Sequence, residues 1–100
     1  MPRFFFFRDQ KGHECDLVIE QSERVMAVEI KSGQTVASDV FAAMSRLVED
    51  LSSAPGGRVT VEPFIVYAGA NSVRRTAARQ LSWRDIHRVD WPGTGNAHRG

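Results

Sequence analysis

Two neighbouring segments that alternate between apolar and polar residues constrain the fold more than any other feature of the chain. Residues 14–20 read ECDLVIE and residues 25–31 read VMAVEIK, with a short polar break between them. A period of two is typical of β-strands, in which successive side chains point to opposite faces. The sequence therefore predicts a hairpin in which each strand carries one apolar set and one mostly polar set.

Burial of the apolar side chains predicts the register of this hairpin. The expected pairs are Cys15–Ile30, Leu17–Val28 and Ile19–Met26, which together would form one apolar face. A slip by one residue would bring charges into that layer. The same register places Asp16 opposite Glu29 and Glu14 opposite Lys31. Three carboxylates and one ammonium are thus expected to gather at one end of the hairpin.

The remaining segments predict an α/β domain with a mixed sheet in the order β-β-β-α-β. Residues 3–8, with four consecutive phenylalanines, predict a first strand that is buried on both faces. Ser38 is the expected N-cap of a helix, and its apolar stripe comprises Val40, Phe41, Met44, Leu47, Val48 and Leu51. Residues 59–68 predict a further strand, in which Pro63 indicates a bulge. A helix between these strands indicates a right-handed parallel crossover.

The C-terminal third is less regular. Residues 74–80 are compatible with a short helix or a loop, and residues 81–91 are expected to return to the sheet edge or pack on it. Residues 92–100 predict a disordered tail, which leaves one domain over residues 1–91.

Composition narrows the class of protein. The single cysteine, Cys15, excludes an intramolecular disulfide and a CxxC zinc site and predicts a cytoplasmic setting. The phenylalanine run is too short for a signal peptide or a membrane span, so no membrane association is expected. A formal net charge of +1 produces no strong global field, so any nucleic-acid binding must arise from local clusters.

The predicted acidic cluster suits a divalent cation. Two carboxylates at close range repel each other and favour a cation between them, and oxygen ligands suit Mg²⁺. A lysine beside the cation polarises water or stabilises charge that develops on phosphorus. The same spacing is also typical of a solvated sheet face with surface ion pairs, such as Glu14 with Lys31. Spacing alone leaves both interpretations open.

A family resemblance bears on this choice. Asp16, followed after twelve residues by Glu29-Ile30-Lys31, resembles the core motif of the PD-(D/E)XK nucleases. The stretches FFRD, GHECDL, VEIKS and LSWR look like the C-terminal domain of unknown function found in prokaryotic AAA-type ATPases. The resemblance covers about residues 4–86. It implies a restriction-endonuclease-like mixed sheet from which the usual N-terminal helix is missing, as in a truncated or split gene.

The resemblance also implies roles for single residues. It implies a site for Mg²⁺ or Mn²⁺ formed by Glu14, Asp16, Glu29 and the backbone carbonyl of Ile30, and a catalytic group of Asp16, Glu29 and Lys31. Lys31 would act on the attacking water or the transition state, and Glu14 would stand in an outer shell or a second site. Gln34 is either a further pocket residue or an ordinary loop residue. DNA is the implied substrate.

Two other functions stay open. The domain would be a non-catalytic interaction or regulatory module of an ATPase, or a gene remnant that folds only as an oligomer. The missing helix would expose phenylalanines and favour self-association or docking on an ATPase partner. A basic set could contact a nucleic-acid backbone or form a solvated surface paired with Asp85 and Asp90; it comprises Arg74, Arg75, Arg79, Arg84 and Arg88.

Overall fold

The predicted hairpin lies within a mixed sheet. A computed structural model describes residues 2–8, 14–53 and 60–91. Within these ranges the strands are β1 (Arg3–Arg8), β2 (Glu14–Gln21), β3 (Arg24–Lys31), β4 (Thr60–Tyr67), β5 (Val73–Arg74) and β6 (Arg79–Ser82). Helix α1 (Ser38–Ser52) connects β3 to β4, and a 3-10 helix (Trp83–Arg88) follows β6. The order of the six strands in the sheet is β1-β2-β3-β4-β6-β5.

The strand directions follow the predicted topology. β1, β2 and β3 are antiparallel neighbours, and so are β5 and β6. β3, β4 and β6 run parallel to one another. The chain is therefore a small α/β domain with a mixed sheet, and the expected β-β-β-α-β order and parallel crossover are confirmed.

The hairpin register is as predicted near the turn and departs from the prediction further away. Leu17 lies opposite Val28 and Ile19 opposite Met26. Ser22 and the next residue close the turn, with Ser22 at a positive φ of 55°, as tight hairpin turns require. The regular ladder ends at the Leu17–Val28 pair, and it does not include the expected pairs Cys15–Ile30, Asp16–Glu29 and Glu14–Lys31.

A β-bulge in β2 explains this departure. Phe5 lies opposite Val18 and Phe7 lies opposite Cys15, so β2 has one more residue than β1 over this stretch. An extra residue reverses the alternation of side chains. Cys15 consequently packs on the same face as Val18, whereas Leu17 packs on the other.

Both faces of the central strands are buried, in contrast to the predicted single apolar face. The core beneath α1 comprises Cys15, Val18, Val25, Ala27, Met44, Leu47, Ile65 and Ala78. The core on the opposite face comprises Ile19, Met26, Val28, Phe64, Val66, Leu81 and Val89. Ile30, expected in the apolar layer, is 57% exposed. Parallel strands in an α/β sheet are commonly covered on both sides, and this accounts for the second core.

Helix α1 covers the first of these cores with its predicted stripe. Met44 and Leu47 are buried, and the other four stripe residues are partly buried against the core. The expected cap is wrong, because Ser38 is already helical. The N-cap position is held by Ala37, which makes no side-chain hydrogen bond.

Three further features of the sheet differ from expectation. Phe4 and Phe6 are 55% and 67% exposed, and no described side chain of β1 belongs to either core. Pro63 produces no bulge, since the β3–β4 register is continuous. The missing N–H of Pro63 is tolerated because β6 pairs with β4 only from Phe64 onward. The segment expected to be helix or loop contains β5 and the start of β6, which form an antiparallel pair.

Two further predictions concern the tail and membranes. The tail predicted for residues 92–100 lies outside the described residues. Within the described ranges, no helix combines the length and apolarity needed to cross a bilayer.

Candidate metal centre

Glu29 and Lys31 lie at the carboxyl end of β3 on the side that faces α1. Oε2 of Glu29 is 3.1 Å from Nζ of Lys31, and the two side chains are 21% and 40% exposed. Both residues line a cavity of about 190 Å³ together with Asp39 and apolar residues of α1. An apolar wall excludes water and strengthens the electrostatic interactions of the charges beside it.

Asp16 is connected to the same dipeptide through the backbone. Its Oδ2 accepts a hydrogen bond of 2.8 Å from the N–H of Ile30, the residue between Glu29 and Lys31. The carboxylate thus takes the place of a ladder carbonyl where the bulge interrupts β2. The N–H of Ile30 therefore faces β2 and the Asp16 carboxylate, beyond the last regular pair of the β2–β3 ladder.

The thiol of Cys15 is buried in the core beneath α1, where it donates a hydrogen bond of 3.3 Å to the carbonyl of Val28. Burial raises the pKa of Cys15 from 9.0 to about 11, and the negative charges of Glu29 and Asp16 add to the increase. Asp16 and Glu29 are not paired across the regular ladder. The expected position of Cys15 in the core is confirmed by its burial, which favours a structural role over a reactive one.

The remaining predicted site residues are Glu14 and Gln34. The backbone of Glu14 lies opposite Arg8, and only the main chain of Glu14 is described. Lys31 forms an ion pair with Glu29, and the alternative Glu14–Lys31 pair lies outside the described side chains. Gln34 is exposed and does not line the cavity.

The predicted ligands Asp16, Glu29 and the carbonyl of Ile30 are oxygen donors, which hard cations prefer. Among the described residues there is no group of three or more His, Cys, Asp or Glu side chains that could hold a metal. Asp16 and Glu29 each direct one carboxylate oxygen to a protein donor and have a second oxygen without a described partner. Mg²⁺ is usually held by one or two carboxylates together with waters and substrate oxygens. Two carboxylates and the Ile30 carbonyl therefore suit Mg²⁺ or Mn²⁺ and do not suit zinc.

Asp39 lies outside the predicted site, yet it lines the same cavity. It stands in the first turn of α1, directly after the crossover from β3. In α/β sheets, ligands bind beyond the carboxyl ends of the strands, next to the N-termini of the following helices. An acid in the first turn after a strand that ends in Glu29-Ile30-Lys31 was the signal that could have identified it.

Comparison with known protein families gives a match that covers most of the chain. The model of a family described as a domain of unknown function, DUF4143, matches residues 1–86. The chain belongs to the DUF4143 family. The match includes β1 to β6 and nearly all of the candidate site's surroundings, so the site lies within the DUF4143 domain itself. No curated protein matches the chain, and no solved structure does.

Proposed function

We propose that this DUF4143 domain is a metal-dependent, nuclease-like domain that cleaves phosphodiester bonds in DNA. The hydrogen bond from the Ile30 amide to Asp16 carries the proposal, because it fixes one carboxylate beside the Glu29-Ile30-Lys31 segment. Asp16, Glu29 and the carbonyl of Ile30 would hold Mg²⁺ or Mn²⁺. Glu14 would contribute as an outer ligand.

The topology supports a PD-(D/E)XK assignment. An antiparallel β1-β2-β3 meander leads through α1 to a parallel β4, and the acids lie on β2 and β3. We propose that this is a restriction-endonuclease-like core. The same resemblance suggests an origin as the C-terminal domain of an AAA-type ATPase.

Each residue would have a distinct task. A bound divalent cation would supply Lewis-acid stabilisation of charge on the phosphate oxygens. Lys31, at the cavity and paired with Glu29, would place its ammonium near the scissile phosphate and orient a water molecule. Asp16 and Glu29 would act as the catalytic carboxylates.

A cleavage assay tests this proposal. Supercoiled plasmid and branched DNA are incubated with Mg²⁺ or Mn²⁺ and the wild type, Asp16→Asn or Lys31→Met. Glu49→Gln serves as the control, because Glu49 is an exposed acid near the other end of α1. The proposal requires cleavage by the wild type and the control and its loss in the two site variants. Equal activity in all four proteins would contradict it.

A second candidate function has an observation of its own. Phe4 and Phe6 are exposed on β1, which is an edge strand of the sheet formed by the described residues, and they provide an apolar surface beside that edge. This favours a non-catalytic interaction module that self-associates or docks on an ATPase partner. Light scattering would show a dimer that Phe4→Ser/Phe6→Ser converts to a monomer. A monomeric wild type would contradict self-association.

A further inference from the structure

Three arginines line a groove near the edge of the sheet that is formed by β6 and β5, remote from β1. Arg74 belongs to β5, Arg79 begins β6, and Arg75 follows β5. Together with residues of β4 they border a groove of about 430 Å³. The groove shares no residue with the cavity of Glu29 and Lys31.

Two of these arginines repel each other. Arg74 and Arg79 lie directly opposite across the β5–β6 pair, an arrangement that is destabilising for like charges. Within the described part of the chain, none of the three arginines forms an ion pair with a carboxylate. Of the five arginines predicted to pair with Asp85 or Asp90, Arg88 does so: its Nε lies 3.8 Å from Oδ1 of Asp85.

The acid that borders the groove does not neutralise them. Glu62 accepts hydrogen bonds of 2.9 and 3.1 Å from Arg24, in a bidentate pair. That interaction raises the pKa of Arg24 above its ordinary range. With Glu62 committed to Arg24, the groove presents a net positive charge.

Two of the guanidinium groups are held in place before any ligand arrives. Nε of Arg75 donates a 2.9 Å hydrogen bond to Oε1 of Gln80, whose residue is only 6% exposed. Arg75 also lies 5.3 Å from the ring centroid of Phe41, and Arg79 lies 5.2 Å from that of Phe64. Stacking on aromatic rings reduces the conformational entropy that binding would otherwise cost.

We propose that this arginine groove binds the phosphate backbone of a nucleic acid. The planar guanidinium matches phosphate oxygens in a bidentate manner, and repulsion between Arg74 and Arg79 is relieved by an anion between them. A second groove shares Arg74 and Arg79 and continues past Ser72 and Val73, so these two arginines stand between two neighbouring grooves. The choice of nucleic acid as ligand rests on the proposed function, whereas the groove itself needs no metal.

Fluorescence anisotropy with a labelled single-stranded DNA oligonucleotide, in low salt and EDTA, tests this groove. Arg74→Gln/Arg79→Gln is expected to weaken binding about tenfold or more. The slope of log K against log salt concentration should become shallower by about 0.7 for each arginine removed. The matched control is Arg3→Gln/Arg8→Gln, which removes the same charge from β1 at the other edge of the sheet. This control should retain most of the affinity.

Arg74→Glu separates a binding role from a structural one. The change converts a like-charged cross-strand pair into an opposite-charged pair, so the melting temperature should stay equal or rise. DNA binding should nevertheless be lost. A parallel loss of stability and binding would overturn the proposal.

The remaining outcomes are equally decisive. The proposal that the groove binds a nucleic acid is overturned if the wild type does not bind DNA. It is also overturned if the β1 control loses as much affinity as the groove variant. Tighter binding of a labelled poly-glutamate peptide than of DNA also overturns it and indicates an acidic protein partner. The two proposals can fail separately. If Asp16→Asn leaves DNA binding in EDTA unchanged and no cleavage occurs when metal is added, nucleic-acid binding by the groove is supported and only the nuclease proposal is contradicted.

Discussion

The side chain of Asp16 has a structural task as well as a proposed chemical one. It accepts the Ile30 amide at the point where the bulge ends the β2–β3 ladder. Asp16→Ala removes this acceptor and should lower the free energy of unfolding by about 1 kcal/mol, as measured by urea denaturation. Asp16→Asn retains an oxygen acceptor and should lose less. Equal losses in both variants would show that the hydrogen bond contributes nothing.

Cys15 predicts a dependence of stability on alkaline pH. The folded protein holds the thiol proton up to a pKa of about 11, whereas the ordinary value is 9.0. As the pH rises from about 9 to 11, the unfolded chain loses this proton first, so stability falls, by about 2 kcal/mol for this group. Below pH 9 both states keep the proton and the contribution is constant.

Denaturation of the wild type and Cys15→Ala at about pH 8 and about pH 11 measures this contribution. The comparison is needed because lysine and tyrosine side chains titrate in the same range. The wild type should lose more stability over this interval than the variant. An identical loss in the two proteins would contradict the burial of a neutral thiol.

At the scale of single elements, α1 is held by its apolar stripe. Leu47 is 2% exposed beneath the helix, and Leu47→Ala should cost about 3 kcal/mol in urea unfolding because it leaves a cavity. The neighbouring exposed position provides the control, since Arg46→Ala should change stability by less than about 0.5 kcal/mol. A small cost at Leu47 would mean that the helix packs loosely.

Elements with a strong period were predictable, and local irregularities were not. The stripe of α1 and the register around Leu17 and Val28 follow from burial alone. The bulge in β2 does not, because one inserted residue leaves no mark on composition and is determined by pairing with β1. It moved Cys15 to the other face and replaced the expected Asp16–Glu29 pairing with a bond to the Ile30 amide.

Short edge elements escaped prediction for a different reason. The β5–β6 pair involves two residues of β5 and depends on β4 as a template rather than on its own pattern. Without that pair, the opposition of Arg74 and Arg79 could not be foreseen, although both residues were recognised as part of a basic segment.

At the scale of the whole molecule, the charged groups divide between two regions of one sheet. Glu29, Lys31 and Asp39 line the cavity at the carboxyl end of β3 next to α1, while the three arginines border the groove formed by β4, β6 and β5. The global charge of +1 conceals this separation. With the proposed cation site in one region and the proposed basic groove in another, the domain would hold a polyanion without a strong overall field.

Calorimetric titration of Mn²⁺ into the metal-free protein tests the central claim most directly. The account predicts binding at one site, weakened about tenfold or more in Asp16→Asn and in Glu29→Gln, and unchanged in Glu49→Gln. A wild type that takes up no Mn²⁺, or binding that is equal in all four proteins, would contradict a metal centre at the bulge of β2.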